Sequence, residues 1–175
     1  MSLLLLGAGP SCGAPPAPAQ FVMRPNADNT DVGFADSRSD LVNSYGCVNE
    51  VVVSPNAPTI ASYYMVSAGD ETDAYQIWGI TAASDDATTL RVYIYGYKGP
   101  TGVVVSADIY VNGGWLGQQT LPLTAETYEW AYFDFNGSWT QAQLNDALLK
   151  VRKQAGGGAG TGFDLNNAYV DANPS

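Results

Sequence analysis

Two neighbouring segments of alternating apolar and polar residues constrain the fold of this chain more than any other feature. In Leu90–Lys98 an aliphatic residue occupies every second position up to Ile94, and arginine or tyrosine stands between them. Val103–Val111 repeats the alternation, and Asn112-Gly113 follows, a dipeptide that tolerates the positive φ of a tight hairpin. A period of two places alternate side chains on opposite faces of a strand. The segments therefore predict antiparallel strands with one aliphatic face against a core.

Short candidate strands separated by turn residues continue on both sides of this pair. We expect them at Val48–Val53, Ile60–Val66, Ala74–Ile80, Trp115–Leu123, Tyr128–Phe135 and Phe163–Val170. Because Tyr128–Phe135 is aromatic on both faces, we expect both of its faces to be covered. Such a series of short strands is typical of an all-β sandwich or barrel. A chain of 175 residues fits one such domain with extensions.

One α-helix is predicted near residues 139–153. Ser138 is a good N-cap, and Gln141 three residues later completes a capping box. Apolar residues then recur at helical spacing, namely Leu144, Ala147, Leu148 and Val151. The basic residues at the end of this segment would complement the helix dipole; they are Lys150, Arg152 and Lys153.

The first residues of the chain resemble three different signals. A dinucleotide-binding turn is excluded because Cys12 stands where the third glycine belongs and closely spaced prolines follow. A secretory signal is disfavoured because no positive charge precedes Arg24 and the apolar run is four leucines. We therefore expect residues 1–22 to form an extended docking arm and residues 23–175 the sandwich. The docking side chains would be Leu3, Leu4, Leu5 and Leu6, unless they form the first strand of the domain's own sheet.

Composition excludes several functional classes. The chain has no histidine, which removes the commonest general base and zinc ligand, and only Cys12 and Cys47 carry thiols. Its formal net charge of −10 disfavours a nucleic-acid partner. No segment approaches the roughly 20 apolar residues of a membrane span. We predict no cofactor, no nucleic-acid partner and no membrane partner.

Acidic residues are the only plentiful reactive groups. Paired carboxylates serve glycoside hydrolysis when a cleft holds them together, and candidate groups are Asp28 with Asp31, Asp70 with Glu71 and Asp73, and Asp85 with Asp86. Each group lies in a segment that reads as a loop, so solvated turn residues are the simpler interpretation. Residues 26–31 offer oxygen ligands to Ca²⁺ but lack the glycine and distal glutamate of an EF-hand. We predict neither catalytic residues nor a metal site.

The candidate partner-binding residues outside the arm are Tyr93, Tyr95, Tyr97 and Trp115. The three tyrosines share one strand face, and together with Trp115 they have the flat rings on which sugars stack. Burial against a second layer or a neighbouring subunit is the alternative.

Three motifs resemble a family of small virion structural proteins from tailed bacteriophages. They are Arg24–Asp28, Tyr45–Glu50 and the "G-x-x-W-T-x-A-x-L/V-N" pattern within Phe135–Asn145. The resemblance implies a jelly-roll sandwich of the galactose-binding-like kind and a place on the virion, after synthesis in the host cytoplasm. The chain departs from the family in Gly162–Pro174, which is short and polar. A last strand at Phe163–Val170 could close the sheet, but this departure leaves the sheet edge undetermined.

The expected function is therefore a non-enzymatic capsid decoration or head-fibre protein that binds coat subunits and associates with itself. A tail or connector-associated protein is one alternative. A carbohydrate-binding module for host recognition is the other.

Deleting residues 1–20 tests the docking arm. The truncated chain should still fold but should no longer associate with assembled coat subunits, because the leucines supply the apolar contact. Co-sedimentation with coat shells measures association, and circular dichroism measures folding. Unchanged co-sedimentation of the truncated chain would show that residues 1–20 are not needed for docking.

Overall fold

The computed structural model describes residues 20–32, 34–36, 48, 65–67, 73–99, 102–154 and 162–174. In chain order the elements are β1 Phe21–Met23, β2 Pro25–Val32, β3 Phe34–Asp36, β4 Met65–Ser67, β5 Asp73–Ile80, β6 Ala87–Lys98, β7 Val104–Val111, β8 Gly114–Trp115, β9 Gln119–Thr120, β10 Tyr128–Trp139, α1 Gln141–Leu144, β11 Leu148–Gln154 and β12 Phe163–Ala172.

Within these residues the strands form two antiparallel six-stranded sheets. Sheet A has the order β10-β6-β12-β4-β3, and β1 pairs with β12 beside β4. Sheet B has the order β2-β5-β11-β7-β8, with β9 also paired to β7. The predicted fold class, an antiparallel β-sandwich of the jelly-roll type with one short α-helix, is confirmed. Residues 1–19 of the predicted arm lie outside the described residues, and Phe21 and Val22 already pair with β12.

The alternation that predicted the fold also forms the core. Leu90, Val92 and Ile94 of β6 are completely buried, and so are Trp78 of β5 and Leu149 of β11. Fully burying a side chain of this size contributes roughly 1.5–3 kcal/mol. The sandwich is therefore held chiefly by the apolar side chains that its two sheets share.

The predicted hairpin is confirmed. Asn112 and Gly113 have φ values of 52° and 84°, and they connect β7 to β8. The returning strand is shorter than the predicted Trp115–Leu123, because Gly117 has a φ of 115° and separates β8 from β9. All but Val48 of Val48–Val53, and all but the last two residues of Ile60–Val66, lie outside the described residues.

The predicted helix over residues 139–153 is wrong in extent. The helix α1 comprises only Gln141–Leu144, and its capping box is shifted by two residues, to Thr140 and Gln143. The segment after it forms β11, which pairs with β5 on one side and β7 on the other. Leu148 and Val151 fit a helix face, whereas Leu149 and Val151 fit a strand face, and pairing on both sides decides for the strand. The basic residues of β11 therefore have no helix dipole to complement.

The last strand, whose position the sequence left undetermined, is central. β12 lies inside sheet A, with β6 on one side and β1 and β4 on the other. Its polar residues Asn166, Asn167 and Asp171 are consequently buried. A strand with this much asparagine and aspartate gives no sequence signal of a central position.

Gly96 is predicted to be the most restrictive position of β6. A Cβ atom there would lie 2.7 Å from the carbonyl oxygen of Asp164 and 2.8 Å from Cε2 of Phe163. Gly96→Ala should lower the free energy of unfolding by about 1–3 kcal/mol, the usual cost of overpacking. At Gly114 a Cβ would meet nothing within 4 Å, so Gly114→Ala should stay within about 0.5 kcal/mol of the parent. Urea denaturation measures the stability of both variants. Equal unfolding midpoints for Gly96→Ala and Gly114→Ala would contradict the close approach of Asp164 and Phe163 to Gly96.

Candidate functional site

Seven aromatic side chains share the outer face of sheet A. Strand register aligns Tyr97 with Tyr128, Tyr95 with Trp130, and Tyr93 with both Tyr132 and Tyr169. Because side chains directly opposite each other point to the same side of a sheet, all seven lie away from the buried aliphatic residues of β6. We call this surface the aromatic face: Tyr93, Tyr95, Tyr97, Tyr128, Trp130, Tyr132 and Tyr169.

The rings of the aromatic face pack against one another. The Tyr93 and Tyr169 rings stack with centroids 4.8 Å apart, and the Tyr95 and Trp130 centroids are 5.2 Å apart. Tyr169 also meets Trp130 edge-on at 5.6 Å. Such pairs contribute about 0.5–1.5 kcal/mol each beyond their area burial. The mutual packing restricts the orientations that these rings can adopt.

This packing produces two layers of rings. Tyr95 and Tyr169 are only 6% and 2% exposed, whereas Tyr132 is 50% exposed. The remaining rings, Tyr93, Tyr97, Tyr128 and Trp130, have intermediate exposure. The inner tyrosines thus support an outer layer that is accessible to a ligand.

An ion pair with two hydrogen bonds borders the exposed ring of Tyr132. The Arg91 guanidinium donates two hydrogen bonds to Asp134, from Nε to Oδ1 at 2.6 Å and from Nη2 to Oδ2 at 2.9 Å. Its Cζ lies 4.5 Å from the centroid of the Tyr132 ring. The hydrogen bond to Asp134 raises the pKa of Arg91 above its ordinary value, so the group is charged at any physiological pH. The pair offers fixed donors and acceptors beside an aromatic platform.

Two further carboxylates belong to the same face. The Tyr128 hydroxyl donates to Oδ2 of Asp164 at 3.0 Å, and Nε2 of Gln20 donates to both oxygens of Asp171 at 3.1 and 2.9 Å. Burial raises the pKa of both carboxyl groups, and these hydrogen bonds oppose the increase. The face therefore combines aromatic rings with oriented hydrogen-bonding groups.

The predicted tyrosines come together, but Trp115 does not join them. Trp115 belongs to β8 of sheet B and is 40% exposed. Its ring contacts Tyr110 at 5.5 Å, and Nζ of Lys150 lies 5.3 Å from its centroid. The tryptophan that accompanies the tyrosines is Trp130, which the sequence interpretation missed. The predicted docking residues Leu3, Leu4, Leu5 and Leu6 lie outside the described residues.

The signal for the missed residues was present in the sequence. Tyr128, Trp130 and Tyr132 alternate with Glu129, Ala131 and Phe133, and this pattern places three rings on one face. The expectation that both faces of this strand are covered is wrong, because Tyr132 is half exposed. What the sequence lacked was the register that brings these rings opposite β6.

The acidic groups that suggested hydrolysis have structural roles where the structure describes them. Asp73 accepts two hydrogen bonds from Arg152, and this lowers the pKa of its carboxyl group. Asp85 accepts from the backbone N–H of Asp86, and Asp86 accepts from that of Gln141. In the described part of the chain no three His, Cys, Asp or Glu side chains converge as metal ligands, and residues 26–31 belong to β2.

No family model matches this chain, and no curated protein matches it. Solved structures that align with it include the family 35 carbohydrate-binding module of Cellvibrio japonicus Abf62, with 13% identity, a TM-score of 0.45, and coverage of 90% of this chain and 95% of that one. The C-terminal family 6 module of LamC, a laminarinase from Zobellia galactanivorans, aligns with 8% identity, a TM-score of 0.46, and coverage of 88% and 99%. TmCBM61, solved with β-1,4-galactotriose, aligns with 15% identity, a TM-score of 0.41, and coverage of 62% and 69%.

Among the described residues, no helix is long and apolar enough to span a membrane.

Asp164→Asn should prevent the loss of free energy of unfolding that occurs as the buried Asp164 carboxyl ionises. Because burial raises the pKa of the folded-state carboxyl, the native state binds more protons than the unfolded state between the two pKa values. The free energy of unfolding therefore falls as pH rises through this range. Asparagine removes the buried charge and still accepts from Tyr128, so the variant should gain on the parent as pH rises from about 3 to 7. Urea denaturation across this range measures the gain.

Asp73→Asn is the control of opposite sign. Arg152 lowers the pKa of Asp73, so its carboxylate stabilises the fold above the unfolded-state pKa and this contribution is lost as pH falls. The loss caused by Asp73→Asn should thus be greatest near neutral pH. If both variants changed with pH in the same direction, the assignment of Asp164 as a buried carboxyl would be wrong.

Proposed function

We propose that this chain is a non-catalytic carbohydrate-binding protein that holds its glycan on the aromatic face. The observation that carries the proposal is a layer of partly exposed tyrosine and tryptophan rings, held by buried rings beneath and bordered by the Arg91–Asp134 pair. The arrangement presents flat apolar surface and oriented polar groups side by side.

A sugar ring needs this combination. One face of a pyranose is a patch of C–H groups, which packs against the negative face of an aromatic ring. Its edge carries hydroxyl groups, which bind well to charged side chains that offer paired hydrogen bonds. Because the Arg91–Asp134 pair and the rings are already ordered, binding sacrifices little side-chain freedom.

The residue types on the face favour a polyhydroxylated ligand over a protein partner. The outward positions 91, 93, 95 and 97 of β6, and 128, 130, 132, 134 and 136 of β10, hold aromatic residues, Arg, Asp or Asn and no aliphatic residue. Tyrosine, tryptophan and arginine also occur often in protein interfaces, but aspartate is depleted there. Here Asp134 and Asp164 lie directly beside the rings.

The charges and the shape of the face favour a neutral oligosaccharide. Asp134 compensates the charge of Arg91. Asp164 and Asp171 stand against Arg24, whose Cζ lies 5.1 Å from the Tyr169 ring centroid, so the face offers an anionic sugar no excess of positive charge. On β10 successive outer rings stand two residues apart, which is roughly 6.8 Å along the strand. A platform of several rings at this spacing suits several consecutive sugar units.

Absence of catalysis is part of the proposal. Asp73, Asp85 and Asp86, which suggested hydrolysis, already accept hydrogen bonds from Arg152 or from backbone N–H groups. The virion role expected from the sequence resemblance stays a prediction, because Leu3, Leu4, Leu5 and Leu6 lie outside the described residues.

Tyr132→Ala should weaken binding of the glycan that a glycan array identifies by about tenfold or more, since buried aromatic contacts typically contribute over 1 kcal/mol. Tyr75→Ala is the control, because it removes a partly exposed tyrosine ring from β5 of the other sheet and should leave the affinity unchanged. Isothermal titration calorimetry measures both, with circular dichroism to verify folding. Unchanged binding by a folded Tyr132→Ala variant would contradict the aromatic face as the site, and an array without any bound glycan would refute the proposal.

A further inference from the structure

A cleft of about 550 Å³, with polar and apolar lining residues, opens where the β7–β8 hairpin approaches α1, away from the aromatic face. Its volume falls in the range of small-molecule binding sites, which is roughly 300–1,000 Å³. The residues that line it come from two separate chain segments: Tyr110, Asn112, Gly113, Ala142, Gln143 and Asp146.

Local sequence explains why the cleft is open. Asn112 and Gly113 turn the chain with positive φ, and a Cβ atom at Gly113 would meet nothing within 4 Å. On the opposite wall Ala142 is small. Gln143 is held in place because its Oε1 accepts from the backbone N–H of Thr140 at 2.9 Å, so the donor that it can offer a ligand is Nε2.

The lining has the chemistry of a sugar site. Tyr110 supplies an aromatic ring, which the edge-on ring of Trp115 braces at 5.5 Å. Asn112 and Gln143 supply amides, and Asp146 supplies a carboxylate. The lining contains no cation that could hold a phosphate, and its single carboxylate is too few for a metal ion. It has no aliphatic side chain larger than alanine, so it does not favour an apolar ligand.

We propose that this cleft is a second carbohydrate site, separate from the aromatic face, that takes one or two neutral sugar units. The inference rests on the proposed function for its ligand class and adds a second site to it. The cleft would hold the terminal one or two sugar units of a glycan, whereas the aromatic face would hold several consecutive units. Two sites on different sheets would make the protein bivalent, so that one molecule links two glycan chains and gains avidity.

The test uses the full chain labelled with ¹⁵N and a panel of free monosaccharides: glucose, galactose, mannose, xylose and N-acetylglucosamine. Titration with the sugar that fits should shift the side-chain amide signals of Asn112 and Gln143 in NMR spectra. Ala142→Phe fills the cleft and should weaken this binding about tenfold or more. Ala82→Phe places the same ring at another exposed alanine outside the lining and should bind like the parent.

The outcomes separate the two proposals. Tyr132→Ala should leave the monosaccharide shifts unchanged, and Ala142→Phe should leave oligosaccharide binding to the aromatic face unchanged. If no monosaccharide shifts the two amides while Tyr132→Ala still abolishes oligosaccharide binding, the second site is wrong and the proposed function stands. If circular dichroism shows that Ala142→Phe fails to fold, Asp146→Ala replaces it. Normal monosaccharide binding by Asp146→Ala would overturn the proposal that the cleft binds a sugar.

Discussion

The pairing of β6 with β10 and β12 is the constraint on which the rest of the molecule depends. It joins Leu90, Val92 and Ile94 into the core and, through the same register, places the tyrosines of β6 opposite the rings of β10 and β12. A slip by one residue would exchange the two faces of β6, exposing aliphatic side chains and burying rings with hydroxyl groups. Core and candidate site therefore cannot be varied independently in this strand.

Local sequence signals predicted the parts of the fold that local physics determines. The period of two in β6 and β7 and the φ preferences of Asn112 and Gly113 were sufficient for the central hairpin. They were insufficient for β11, because its apolar residues fit either period and only pairing with β5 and β7 decides between them. Lys153 shows the limit most clearly: it was expected to complement the dipole at the end of a helix, yet it lies in β11 and is 0% exposed.

The candidate site was predictable in part for the same reason. Tyr93, Tyr95 and Tyr97 share a face by simple alternation, so their grouping followed from the sequence. Their ring partners depend on register between strands more than 30 residues apart in sequence, for example Tyr95 and Trp130. Trp115 seemed the natural companion because it is near in sequence, but the chain crosses to sheet B before reaching it.

The two layers of the aromatic face divide its tasks between different residues. Tyr95 and Tyr169 are locked among other side chains, whereas Tyr132 projects into solvent and contributes little to the core. Replacements in the outer layer can therefore accumulate during evolution without unfolding the sandwich. One scaffold of this kind can change its preference among ligands by drift at a few outer positions.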